Sequence, residues 1–215
     1  MQNLILIGGG GHCKVVIDAI RKAGLYNIYG IADTDPSRKE VLGIPVIGDD
    51  DSLLKIYNSG VKNAVIAIGS VGDPSLRMKL YEKIKKIGFN LPTIIHTSSI
   101  IAEDVKIEEG TFIAAGTVIN TGTKIGKNVI INTSSSIDHD CQLGDFVHIA
   151  PGVTLSGGVK VGEGTHIGTG ANIIQYLNIG KGCIIKAGAL VRNNLQDGYT
   201  EAIGGRYTSS TKDEK

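Results

Sequence analysis

The chain of 215 residues contains no tryptophan, three phenylalanines and seven tyrosines, so aromatic residues make up only 5% of it. A core of stacked rings is excluded, and the interior must be filled by aliphatic side chains. Cysteine is scarce as well. Cys13, Cys141 and Cys183 are odd in number and show no CxxC spacing, which argues against a disulfide framework and against a zinc knuckle. Neither sign of charge is in excess: 22 Lys and Arg face 21 Asp and Glu, a formal net charge of +1. Interspersed charge of this kind favours neither nucleic acid nor an anionic membrane as a partner. Long apolar runs are also missing. Leu4 to Ile7 is too short for a signal-peptide core or a membrane span, so the expected location is a reducing cytoplasm. Proline is rare at five residues, whereas glycine is abundant at thirty, which suits a tightly wound backbone.

What is present is a repeat. Every sixth residue from Ile95 to Val191 is isoleucine, leucine or valine, seventeen positions without a miss. The residue four places on is mostly small or β-branched, as at Val105, Thr111, Thr117, Cys141, Val147, Thr165 and Ala171. No helix has a period of six, whereas a hexapeptide repeat reads as a parallel β-helix. Each hexad is one short strand and a corner, and three hexads make a coil of 18 residues. Cys141 and Cys183 fall on the small inward position and read as core filler. The repeat runs to about Gln196 with no insertion, so the prism has no loop-built pocket. A ligand would lie in a groove between packed prisms, which points to an oligomer.

Residues before about 92 follow a different grammar. Leu4–Ile7, Ile28–Ala32, Ile44–Ile47 and Ala64–Ile68 read as strands, alternating with helices over His12 to about Ala23, around Leu53 to Tyr57, and from Asp73-Pro74 to Gly88. Alternation of this kind predicts a parallel sheet with helices on both faces. The expected division is an α/β Rossmann-like domain over 1–92, an all-β helix domain over 93–204 and a frayed tail over 205–215.

Two regions carry chemistry. Gly8-Gly9-Gly10-Gly11-His12 joins a strand to a helix, where backbone N–H groups can cradle a phosphate. Asp33 closes the second strand, the place of a ribose-binding acid. Cys13 replaces the third glycine of the dinucleotide pattern and the second half-fold is missing, so a mononucleotide or sugar nucleotide fits better than NAD. His12 is a candidate for substrate contact or for capping the helix. In the prism, residues eighteen apart stack on successive coils about 4.8 Å apart. His148 thus stacks on His166, and Gly157, followed by Gly158, lies beneath His139. A histidine over a vacant strip, flanked by Asp138 and Asp140, suits a general base beside a long thin thioester. His96 at the junction reads as structural. Histidine spacings of nine and eighteen give no close pair, so no metal is expected.

The glycine loop, the segment Ile137-Asp138-His139-Asp140-Cys141 through His148-Ile149-Ala150-Pro151-Gly152, and the hexads together resemble the sialic acid O-acetyltransferase / bacillosamine N-acetyltransferase family. The resemblance covers nearly the whole chain. It implies a left-handed winding, a UDP-sugar site in the first domain, acetyl-CoA as co-substrate on the prism, and a homotrimer with sites between subunits. It also implies His139 as base with Asp140 beside it, and His148, Gly157, Gly158 and His166 near acetyl-CoA. Asn132 would lie near the acceptor amine, and Gly10, Gly11, His12 and Asp33 would hold the nucleotide sugar. The C-terminal end departs from the family pattern, with Arg206 in the region of its usual lysine. The expected reaction is direct acetyl transfer to the amine of a nucleotide-linked amino sugar. O-acetylation of a sialic acid or related sugar, non-catalytic binding of a sugar nucleotide, and an NAD-dependent oxidoreductase are the alternatives.

Overall fold

A computed structural model describes residues 1–200. The first part comprises β1 (Gln2–Ile7), α1 (Gly11–Ala23), β2 (Tyr26–Ala32), β3 (Glu40–Val41), β4 (Ile44–Gly48), α2 (Leu53–Asn58), β5 (Asn63–Ile66) and α3 (Ser75–Ile87). The strands lie in the order β3-β4-β2-β1-β5. β1 is a continuous apolar run because both its faces are covered. Leu4 and Leu6 join the cluster of Cys13, Val16, Ile17 and Ile20 of α1, while Ile5 and Ile7 join Leu53, Leu80 and Ile84 of α2 and α3. The third helix starts at Ser75 with Pro74 at its N-cap, one residue later than Asp73 as cap would give, but Asp73 still ties down the start. Its carboxylate accepts from the Ser75 N–H at 2.9 Å and from the Ser75 hydroxyl at 3.0 Å.

One expectation is corrected. The sheet is not wholly parallel, because β3 pairs antiparallel with β4 through Leu42-Gly43. Both turn residues have positive φ, 50° and 76°, as a tight two-residue hairpin requires. Leucine carries no turn signal, so this hairpin is silent in the sequence.

From Ile94 to Val191 each hexad supplies one two-residue strand, seventeen in all. They form three parallel sheets of six, five and six strands, with every residue paired to the one eighteen positions on. The second residue of each strand points inward and is buried from Ile113 onward, whereas Ile95 at the open first coil is 38% exposed. From Gly110 to Gly188 each corner has one residue in the left-handed region, glycine at most corners but Asn128, Ser134, Asp140, Phe146 and Tyr176 at five.

The outward residues distinguish the three faces. One face presents Ile94, Phe112, Ile130, His148, His166 and Ile184 in a column. Ile94, Phe112 and Ile130 pack into the α1 cluster, so this face carries the N-terminal sheet and helices. A second face presents Lys106, Lys124, Gln142, Lys160 and Asn178 along an open groove of about 560 Å³. The third face presents Ile100, Val118, Ser136, Thr154, Asn172 and Leu190.

Candidate active site

His139 stands at the corner between the Ser136–Ile137 strand and the Gln142–Leu143 strand, with its side chain 44% exposed. Its two neighbours divide the work of holding it. Asp138 Oδ1 accepts from the His139 backbone N–H at 2.8 Å and from the Asn120 amide at 3.1 Å. Asp140 Oδ2 lies 2.9 Å from the ring Nδ1. The Nδ1–H tautomer therefore donates to Asp140 and leaves Nε2 as the free base. The hydrogen bond to the Asp140 carboxylate raises the pKa of His139 above its ordinary value, with the charges of Asp138 and Asp140 adding to it.

Two glycines make room for this pair. A β-carbon at Gly157 would stand 2.4 Å from His139 Nε2, and one at Gly122 would stand 2.3 Å from Asp140 Oδ1. The imidazole thus overhangs bare backbone, as the eighteen-residue count predicts. Asp140 itself has φ of 59°, at a corner position that glycine fills in most other coils. A carboxylate held in a conformation favoured by glycine marks a position where the side chain is required. Gly158 occupies the same corner position one coil on, and its N–H bonds the His139 carbonyl at 2.8 Å. Beneath it lies the ring of Tyr176, 70% exposed.

The remaining histidines sit elsewhere. His148 and His166 stack with ring centroids 4.8 Å apart, as their spacing requires. They lie on a face rather than an edge, and they are not a surface pair, since exposures of 6% and 7% put both under the N-terminal layer. His148 Nδ1 donates to the carbonyl of Ser70, and Ser70 is held through its hydroxyl by Arg77 at 2.8 Å. Arg77 is itself fully buried and fastens α3 to the prism through Asn128, at 3.2 and 3.1 Å. Burial pushes the His148 pKa down to about 3 and lowers that of His166. Among the described residues, His148 Nε2 and His166 Nδ1 have no hydrogen-bond partner. His12 joins the same region. The ring meets Phe112 edge-on at 5.2 Å, its Nε2 is buried and unpartnered, and burial lowers its pKa to about 4. It does not cap α1, whose N-terminus begins at Gly10 without a side-chain cap.

A cavity of about 430 Å³ opens at the carboxyl ends of the strands, lined by the glycine loop from Gly8 to Gly11, His12, Asp33, Asp50 and Leu76. Gly10 and Gly11 leave open space at the start of α1. Asp33 lies in the wall but is largely committed. It accepts from the Gly9 N–H, from the Asp35 N–H at 2.7 Å and from Arg38 Nη1 at 2.6 Å. Asn132 is on a different prism corner from His139, and its Oδ1 accepts from the Thr133 N–H at 2.9 Å. His96 ties the prism to α1, with Nε2 3.6 Å from Asp18. Arg206 lies outside the described residues. Cys141 is buried with its thiol pushed up to about 11, which leaves no nucleophile beside His139. Among the described residues no group of three His, Cys, Asp or Glu side chains is arranged to hold a metal ion.

The structure thus brings together His139, Asp140 and Gly157, and separately His12, His148 and His166. The two groups lie on opposite sides of the prism, because nine residues is half a coil. Sequence reasoning missed Arg77 and Ser70. Among the corner residues, its one available signal was the break in the sixfold glycine series at Asn128, which receives Arg77.

Comparison with known proteins supports the two-part reading. Residues 3–84 match the PglD N-terminal domain, and residues 122–157 match the bacterial transferase hexapeptide of six repeats. A variant of perosamine N-acetyltransferase from Caulobacter crescentus, solved in complex with CoA and GDP-perosamine, is 40% identical, with 93% of each chain covered and a TM-score of 0.88. The acetyltransferase domain of PglB from Neisseria gonorrhoeae, solved with acetyl coenzyme A, is 35% identical over 93% of this chain and 95% of that one, with a TM-score of 0.84. WeeI from Acinetobacter baumannii is 28% identical over 93% and 96%, with a TM-score of 0.82. The chain belongs to the hexapeptide-repeat sugar N-acetyltransferase family, with a PglD-type N-terminal domain followed by a left-handed parallel β-helix.

Proposed function

We propose that this protein transfers the acetyl group of acetyl-CoA to the amine of a nucleotide-linked amino sugar, with His139 as general base. The observation that carries the reading is the hydrogen bond from Nδ1 to Asp140, which leaves Nε2 over the bare backbone of Gly157. The amine nitrogen attacks the thioester carbonyl, Nε2 takes the amine proton, and the C–S bond breaks to release the CoA thiol. Gly158 N–H is already used by the His139 carbonyl, so the donor free for the oxyanion at this step of the coil is Gly157 N–H. The lysine strip of Lys106, Lys124 and Lys160 beside the same corner offers countercharge for the phosphates of CoA.

The glycine loop of residues 1–92 would hold the nucleotide sugar, and residues 93–204 would hold acetyl-CoA. In one subunit the cavity and His12 lie on the side of the docking face, away from His139. The active form is therefore a trimer in which His139 of one copy faces the nucleotide-sugar cavity of the next. The substrates place the reaction in the cytoplasm, and among the described residues no helix is long and apolar enough to cross a membrane.

A thiol-release assay with acetyl-CoA against nucleotide-linked 4-amino sugars and sialic acids tests the reading. Release with an amino-sugar nucleotide and an N-acetyl product by mass spectrometry is the expected outcome. Release only with a sialic acid would transfer the chemistry to a hydroxyl, and binding without release would remove it.

A further inference from the structure

The reading above leaves the nucleotide open, and the cavity holds one group that bears on it. The parallel strands end in the order β4, β2, β1, and each carries a different kind of polar group. The glycine loop follows β1, Asp33 follows β2 and Asp50 follows β4. Adjacent strands are about 4.8 Å apart. A nucleotide whose phosphates rest on the start of α1 would thus lay its ribose near the end of β2 and its base near the end of β4.

At that outer end the three consecutive aspartates are not alike. Asp49 is consumed by the N–H groups of Asp51 and Ser52 and by the Ser52 hydroxyl. Asp51 is paired with Lys83 at 3.1 Å. Asp50 lines the cavity, and no hydrogen bond or ion pair reaches its carboxylate among the described residues. It is partly desolvated there, which raises its pKa. The same cavity also exposes apolar surface, at Leu76 and Val71, which are 52% and 84% exposed. A free carboxylate in a cavity with exposed aliphatic surface suits a flat ring that buries its face and donates hydrogen bonds from its edge.

We propose that Asp50 reads the base of the nucleotide sugar and selects guanine over uracil. Guanine presents adjacent N1–H and N2–H donors that a carboxylate accepts together. Uracil presents a single N–H between two carbonyl oxygens, which a carboxylate repels. The inference rests on the nucleotide-sugar reading of the cavity, and it replaces the UDP expected from family resemblance with GDP.

Isothermal titration of the full-length protein with GDP, inosine diphosphate and UDP tests it. Inosine diphosphate lacks the 2-amino group, so the order of affinity is GDP, then inosine diphosphate, then UDP. GDP binds about tenfold or more tighter than UDP, the usual scale for a charged hydrogen bond left unmade. Asp50→Asn cuts GDP affinity about tenfold and collapses the GDP-to-UDP ratio. Equal or tighter binding of UDP by the natural protein overturns the proposal. So does a GDP-to-UDP ratio that survives in D50N, which would remove Asp50 while leaving the cavity as the nucleotide site. If no diphosphate binds at all, the reading of the cavity falls and this inference with it.

Discussion

His139 and His148 are nine residues apart on one uniform scaffold, and they end in opposite chemical states. His139 stands at an open corner, takes a hydrogen bond to Asp140 and has its pKa raised. His148 lies in the middle of a face, is covered by the N-terminal layer and has its pKa pushed down to about 3. The repeat separates them first, because nine is not a multiple of six and puts one residue at a corner and the other on a strand. What separates them further is what lies against the prism. A corner left bare, with glycine above and below, keeps an imidazole basic and accessible. A face that carries a domain turns the same side chain into a neutral, buried group tied to a carbonyl. On a scaffold this regular, function is assigned by coverage and by the few places where glycine is kept or lost.

The comparison can be broken or sharpened in three ways. Replacing the exposed member has the largest effect: His139→Ala should lower acetyl transfer by about 10²-fold or more, with thermal unfolding and the mass in solution unchanged. In the natural protein the rate should rise with pH through the elevated pKa of His139, because only the deprotonated ring accepts the amine proton. A near-normal rate in the variant removes His139 from the mechanism.

Filling the slot beneath it comes next. Gly157→Ala puts a methyl group 2.4 Å from the present position of Nε2, so the ring must turn away or the thioester must shift. A loss of about tenfold in kcat/KM for acetyl-CoA is expected, since misplacement of reacting groups costs on that scale or more. Unchanged kinetics would show that the bare strip is not where the thioester lies.

The third test leaves activity aside and addresses the buried member. A histidine whose folded pKa is depressed favours the folded state above its unfolded pKa, and that advantage is lost as pH falls. Below pH ~6.5 the unfolded chain takes up a proton at His148 that the folded chain refuses until about pH 3. Unfolding free energy should fall across that window by up to about 1.4 kcal/mol per pH unit from this residue. His12 and His166 act in the same direction. His148→Phe, which copies Phe112 higher in the same column, should flatten the slope measured by denaturant titration between pH 6 and 4 by about that amount. An unchanged slope would mean that His148 stays hydrated and can be protonated in the folded protein.

Much of this comparison was legible before any coordinates. Counting in eighteens put Gly157 under His139 and His166 beside His148, because parallel coils repeat their register without slippage. The flanking aspartates could be read as partners of the imidazole, though only geometry assigned Nδ1 to Asp140 and the backbone N–H to Asp138. The covering of His148 was not legible. It depends on which of the three faces receives α1 and α3, and the signals for that choice are scattered through Arg77, Ser70, Phe112 and Asn128. The hairpin at Leu42-Gly43 was silent for a simpler reason, since no local residue preference announces it.

The sequence by itself determined the hexads, their phase and the residues that stack on one another, because a strict period of six puts three strands in each coil and fixes every vertical neighbour. It also determined that a glycine loop opens a helix beside a strand. Only the tertiary structure decided which face of the prism is buried, that Asp33 is largely spent on Gly9, Asp35 and Arg38 while Asp50 is free, and that His139 is accessible while His148 and His166 are buried. Those outcomes rest on contacts between residues far apart in the chain, where no periodicity operates and the packing of one layer on another sets the solvation of each group.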